Sequence, residues 1–370
     1  MTYAFLISFC RRAFKRLSNR LLFFSCQNIY FRGKTIYGPT ECFYLDFSQN
    51  RCRVSPETFL QSSLKRKNMS GEKYKFSGHQ TFVFRHGWLE KGVQLIQENP
   101  HGFLEANSLI KLGVGKNMVD SIRYWCIQTG LLLDMDRGEM QLTELGKFIF
   151  GTHSFEEGSD PYLEDDGTLW LLHWELMKNC LFPEPVWSSW QFGFFKWNKN
   201  EFTKSEMSSA VAKWLKEKSK ISASTLDRDV DCFIRTYAGT RSKMAEDSFD
   251  SPFLSLDLIQ ATPQSDLFRF NVGAKHNLPV EIVGYAILQF MGTKNSLPIQ
   301  RCLYDVGSPG QAFKLNEATL MDYLDDLEVL LDHHVQVSET AGLNSIVCKG
   351  MIAKNLAEKL KLDYYRRKGK

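Results

Sequence analysis

The chain has no run of about 18 apolar residues, the length a membrane-spanning helix needs. Its longest apolar starts, such as Ala4 to Cys10, meet charge within a turn or two. It also has no C-x-x-C pair and no histidine at ligand spacing from a cysteine, so neither a zinc site nor a disulfide framework is signalled. Cys126, Cys180, Cys232, Cys302 and Cys348 stand isolated and are read as buried apolar fillers in a reducing cytoplasm. No D-x-E-x-K or H-N-H nuclease cluster, internal repeat or low-complexity tract is present. The string Gly113-Val114-Gly115-Lys116 is not a nucleotide-binding loop, because Ile110 stands where that loop requires glycine. With 43% hydrophobic and 24% charged residues over 370 positions, collagen, coiled coil and wholesale disorder are excluded.

The net charge of +4 is the sum of two unlike parts. Residues 1–68 hold 12 basic and three acidic side chains, while the other 302 residues carry a net −5. The first segment also holds four of the nine cysteines (Cys10, Cys26, Cys42, Cys52) but no tryptophan and no histidine. Its 13 Phe and Tyr residues follow neither a strand nor a helix period, which is poor material for a core. We read residues 1–68 as an upstream extension, non-native or disordered, with Met69 as the biological start. A targeting peptide and a basic DNA-binding arm are the rival readings.

Beyond Met69 the periodicity predicts a helix over Trp88 to Glu98, stopped at Asn99-Pro100-His101-Gly102, then a short helix over Phe103 to Lys111. The turn Leu112-Gly113-Val114-Gly115 leads into a third helix with Met118, Val119, Ile122, Trp125 and Cys126 inward. Two short strands, Leu131 to Met135 and Met140 to Leu142, joined by Asp136-Arg137-Gly138-Glu139, complete the pattern of a winged helix-turn-helix. In such a module the third helix enters the major groove of double-stranded DNA, leading with its N-terminal residues. Lys116, Asn117, Ser121 and Arg123 are the candidate DNA-binding residues on it, with Arg137 at the wing tip and Asp120 opposing phosphate. A protein-protein module of the same shape is the alternative.

The segment Phe76 to Lys91 packs His79, Gln80, Thr81, Arg85 and His86 among four aromatics. Read functionally, Arg85 forks a scissile phosphate and His79 acts as general base, the two candidate catalytic residues. Read structurally, the segment is an aromatic plug whose polar groups satisfy buried backbone, the reading chemistry alone prefers. No metal-ligand constellation emerges. The four acids of Asp160 to Asp166 invite magnesium, yet they suit better the capping of the apolar helix that begins near Leu169. The aromatic belt Trp187, Trp190, Phe192, Phe194, Phe195 and Trp197 reads as core, with base stacking the alternative. Further helices are predicted over Ser205 to Lys218, Thr225 to Tyr237, Pro279 to Met291 and Asn316 to Leu331, and a frayed basic tail over Leu360 to Lys370.

The runs Phe76-Ser77-Gly78-His79-Gln80-Thr81-Phe82, Trp88-Leu89-Glu90-Lys91, Leu112 to Val119 and Ile122-Arg123-Tyr124-Trp125 together resemble the family catalogued as domain of unknown function 4007. So do Asp160 to Asp165, Thr168 to Trp174, Glu246-Asp247, Asp250-Ser251-Pro252 and Gly307 to Leu315. The resemblance runs from about Tyr74 to beyond Gly342 and includes nothing before Met69. Members of that family look like the SspB-type DNA nickase of bacterial DNA phosphorothioation and phage-defence systems. The resemblance implies partners in a cysteine desulfurase, an ATPase and an ATP-pyrophosphatase. It leaves the cofactor open, with Mg2+ the candidate, and carries over no catalytic residue.

The expected fold is mainly α with small β-hairpins: a winged helix-turn-helix over 69–155, an α-rich domain over 156–260 and a C-terminal helical unit over 261–370. The expected function is DNA binding with nicking of one strand. The alternative is a non-enzymatic adaptor or regulator that recruits sulfur-transfer partners.

Overall fold

The computed structural model describes residues 72–369 apart from 153–156, 182–184, 217, 240–250, 264–265 and 341, together with four short strands between Tyr30 and Val54. The chain divides into two compact units, Met1–Ser70 and Gly71–Lys370. In the first, β1 (Tyr30–Phe31) pairs antiparallel with β2 (Lys34–Thr35), and β3 (Phe43–Asp46) with β4 (Arg51–Val54). Apart from these strands, the reading of 1–68 as an extension concerns residues that lie outside those described, as do Glu246-Asp247 and Asp250 of the family runs.

The second unit is mainly helical with small sheets. It opens with β5 (Lys73–Tyr74), which later pairs parallel with β8 (Val186–Trp187). Helix α1 (Trp88–Glu98) buries Trp88, Leu89, Val93, Leu95 and Ile96, one face at helical spacing. Gly92 lets it cross the next long helix closely, since a Cβ there would lie 2.6 Å from the Cys126 Sγ. After a 3-10 turn, Gly102–Leu104, come α2 (Ser108–Leu112) and α3 (Lys116–Gln128). Strands β6 (Leu132–Asp134) and β7 (Met140–Leu142) pair antiparallel, and α4 (Glu144–Phe150) follows, capped by the Thr143 hydroxyl.

Helix α5 (Asp166–Met177) is buried on every side, as the apolar run Leu169 to Trp174 requires. Asp165 accepts from the Gly167 N–H at its start, and Asp160 accepts from the Glu164 and Asp165 N–H groups. These acids therefore serve the helix terminus. Helix α6 (Ser189–Phe195) carries a Ser188/Gln191 capping box and α7 (Lys204–Leu215) a Thr203/Glu206 one. Helix α8 (Ala223–Tyr237) packs on α7, while β9 (Glu201–Thr203), β10 (Ile259–Ala261) and β11 (Leu267–Phe270) form an antiparallel sheet in the order β10-β11-β9. Of the aromatic belt, Trp187, Trp190, Phe192, Phe194 and Phe195 are buried and Trp197 packs partly buried against the core.

The chain continues through α9 (Val280–Met291), β12 (Ser296–Pro298), α10 (Ile299–Tyr304), α11 (Pro309–Phe313), α12 (Glu317–Leu330), β13 (Val335–Thr340), β14 (Leu343–Cys348) and α13 (Ala353–Arg367). The last three strands make a sheet in the order β12-β14-β13. The expectation of a frayed basic tail is overturned here. Helix α13 packs along α9 and buries Leu360, Tyr364 and Tyr365, with Arg367 paired to Glu281 at 2.7 Å. Basic spacing alone hid the apolar face formed by Leu356, Leu360 and Tyr364. Among the described residues, no helix is long and apolar enough to cross a membrane.

Candidate nucleic-acid interface

The turn between α2 and α3 is built by two glycines. Gly113 has φ 67° and closes α2 through its N–H to the Ile110 carbonyl, while the Val114 N–H reaches the Leu109 carbonyl. Gly115 then precedes α3 in an extended conformation without any side-chain cap. The Met118 and Val119 N–H groups turn back to the Gly115 carbonyl, whereas those of Lys116 and Asn117 find no acceptor among the described residues. Two N–H groups and the positive end of a 13-residue helix thus face solvent beside two exposed polar side chains, Lys116 and Asn117.

The other candidates fall differently. Arg123, one-third exposed, is held by Asp134 of β6 at 2.8 Å. Arg137 is exposed between the strands and adopts φ 61°. Ser121 is fully buried, so it does not belong to the surface presented by α3; its position one residue before Ile122 turns it into the core. Asp120 remains exposed on the same helix.

The Phe76 to Phe82 segment lies against α3 and α8. Ser77, Gln80 and Thr81 all have positive φ, an unusual density for residues that carry a Cβ. The segment is pinned from α8. Asp229 accepts the Ser77 N–H at 2.6 Å and the His79 ring at 2.8 Å, and Arg235 donates to the Thr81 carbonyl at 2.8 Å. Because the Thr81 N–H donates to His79 Nδ1, the ring proton sits on Nε2 and goes to Asp229. Both ring nitrogens are occupied, and the imidazole is wholly buried between Tyr124 and Trp190. Gly78 is the residue that lets this loop close, since a Cβ would stand 2.5 Å from the Tyr124 ring. Arg85 is half-buried, its guanidinium over the Phe82 and Trp88 rings at 5.6 and 5.3 Å, and His86 is exposed. His79 and Arg85 are therefore in one segment but in different settings: one inside the core, the other at its edge.

Asp229 escaped the sequence reading, as did the part that Arg235 plays in pinning this loop. A signal for Asp229 was present, since it shares the apolar stripe of Leu226, Val230 and Phe233, a position where an acid demands buried donors.

A family model described as a protein of unknown function, DUF4007, matches residues 76–365. The chain belongs to the DUF4007 family. A magnesium ion-bound SspB crystal structure is similar to this DUF4007 chain at 28% identity and a TM-score of 0.72, covering 80% of it and 89% of the SspB chain. A second SspB crystal structure is similar at 29% identity with the same TM-score and coverage. No curated protein matches the chain.

Among the described residues no group of three or more His, Cys, Asp or Glu side chains could hold a metal ion. A cleft of about 420 Å³ is lined by Glu164, Asp165, Asp166 and His276, but also by Arg367 and Lys368. Asp165 there caps α5, accepts from the Tyr364 hydroxyl and faces Lys368 at 3.6 Å. These residues do not fit a protein-ligated magnesium.

Proposed function

We propose that this chain is a DNA-binding protein of a bacterial DNA phosphorothioation and phage-defence system. It docks on double-stranded DNA with α3 as the reading helix of a winged helix-turn-helix and nicks one strand. The observation that carries the reading is the open start of α3, where unsatisfied N–H groups, helix dipole, Lys116 and Asn117 converge at the end that such modules present to the groove. Arg137 on the β6–β7 connection supplies the wing contact. Family membership and likeness to SspB support the placement in phosphorothioation.

Lys116→Ala is expected to weaken duplex binding and make the slope of log affinity against log salt shallower by about one. Ser121→Ala is expected to leave that slope alone. Unchanged affinity and slope in Lys116→Ala would remove α3 from the interface. Relaxation of supercoiled plasmid, with and without Mg2+, tests the nicking.

A second reading has an observation of its own in favour. His79 has both ring nitrogens engaged and no access to solvent, which suits a non-enzymatic adaptor that holds DNA for a cysteine desulfurase, an ATPase and an ATP-pyrophosphatase. Duplex binding without any plasmid relaxation is the result that selects it.

A further inference from the structure

A row of cations runs away from α3 across the short parallel sheet. Lys75, next to β5, lies over the Tyr124 ring at 5.4 Å and close enough to Arg123 for the two charges to interact. Its neighbour Tyr74 pairs with Trp187 across β5 and β8. Lys196 lies over that Trp187 ring at 5.1 Å, and Lys218 over Trp214 at 4.7 Å and Tyr74 at 5.9 Å. Trp187 and Trp214 meet edge to face at 5.3 Å, so the lysines share one aromatic floor. Lys75, Lys196 and Lys218 are exposed. Among the described residues, the acids within the row are Glu72, which takes the Tyr74 hydroxyl and Lys218 at 3.5 Å, and Asp134, which holds Arg123. Among the described residues, four cations stand against two acids here, a positive surface in a body whose net charge from residue 69 onward is negative.

We infer that this shelf, formed by Lys75, Lys196 and Lys218 with Arg123 at its inner end, binds the phosphate backbone of DNA beyond the stretch covered by α3. The inference deepens the DNA-binding reading and rests on it. Backbone contact fits better than base stacking. Trp187 is buried, the rings pack edge to face on one another, and the Lys196 and Lys218 ammonium groups already lie over their faces. The ring faces hold the ammonium groups of Lys196 and Lys218 in place, so less side-chain freedom is lost when a phosphate reaches them.

The test uses the full chain and two duplexes, one of about 12 base pairs, roughly one helical turn, and one of about 30. Lys196→Gln/Lys218→Gln removes two charges and keeps most of each stem. On the long duplex the salt slope should become shallower by about two and affinity at about 0.1 M salt should fall about tenfold or more. On the short duplex both should match wild type, and Lys196→Arg/Lys218→Arg should restore binding to the long one. Unchanged binding to the long duplex by the folded double variant overturns the inference. Equal losses on both duplexes overturn the placement of the shelf outside the α3 footprint. The underlying reading fails separately: wild type then binds neither duplex, or Lys116→Ala binds both as wild type does.

Discussion

The Nε2 atom of His79 and the Oδ1 atom of Asp229 meet at 2.8 Å across 150 residues of sequence, with almost no solvent reaching either side chain. Asp229 also takes the Ser77 N–H at 2.6 Å and, through its other oxygen, the Ser189 N–H at 3.4 Å. One carboxylate therefore organises a loop that contains three residues with positive φ. Such backbone persists only where its surroundings over-determine it. Asp229→Ala strands those donors inside the protein and is expected to cost about 3 kcal/mol. Asp229→Asn, which keeps an acceptor oxygen, is expected to cost less. Denaturant midpoints of the three proteins check the order, and a wild-type midpoint in Asp229→Ala would show that the loop does not depend on this contact.

The C-terminal helix gives a second prediction. Tyr365 is buried with its hydroxyl 2.8 Å from Thr168 Oγ1, and the Tyr364 hydroxyl donates to Asp165 at the start of α5. Gly167 is packed against the Tyr364 ring so tightly that a Cβ finds no room. Tyr365→Ala should cost about 3–5 kcal/mol, in the range of large-to-small core substitutions, and Tyr364→Phe about 1 kcal/mol. Thermal unfolding resolves the difference. Equal, small effects would mean that α13 is only loosely attached.

Helices with a clear apolar stripe were legible before the structure: α1, α3, α8 and α12 fall where periodicity puts them, α8 beginning two residues earlier than read because Ser222 caps it. The capping role of Asp160 and Asp165 was legible too, because acids before an apolar run suit a helix N-terminus. The pinning of the His79 loop was not. His79 and Asp229 are partners only through tertiary packing, and nothing local in either segment encodes the pairing. The cationic shelf was hidden for the same reason, its lysines coming from the segments around residues 75, 196 and 218. In α13 the dense Lys and Arg content drew attention away from a buried face of aliphatic and tyrosine residues.

Two buried lysines set an alkaline dependence of stability. Lys314 donates to the Phe194 carbonyl at 2.8 Å and lies over the Phe270 ring at 4.2 Å; burial pushes its pKa down to about 7. Lys275 donates to the Gly273 carbonyl at 2.7 Å, and burial lowers its pKa to about 8. Unfolded lysine titrates near 10.5. Between about pH 7 and 10.5 the unfolded chain therefore binds more protons than the folded one, so stability rises with pH across that window and falls as pH drops towards 7. Lys314→Met should flatten the rise. Urea midpoints at about pH 7, 8 and 9.5 check it, and a slope identical to wild type would mean that Lys314 is not buried as an amine.

The setting of the catalytic candidates separates two roles within one segment. Nicking requires a group that holds the scissile phosphate and stabilises charge as it develops, and a guanidinium does so with two parallel donors where an ammonium offers a point charge. Arg85 stands at the edge of the core, one residue before the exposed His86, with its guanidinium held over Phe82 and Trp88. On the nicking reading, His79, enclosed and with both nitrogens engaged, is expected to position the segment that carries Arg85 rather than to take part in the chemistry. Arg85→Lys is therefore expected to lower plasmid nicking by at least ~10²-fold with little change in melting temperature, in line with the loss of one charge-stabilising group. His79→Ala is expected to lower the melting temperature by several degrees while the fraction that folds nicks at nearly the wild-type rate. Nicking rate and melting temperature measured on the same preparations distinguish the two. A stable Arg85→Lys protein with full nicking would remove this segment from the chemistry, whereas a stable His79→Ala protein that fails to nick would return the imidazole to it as a general base.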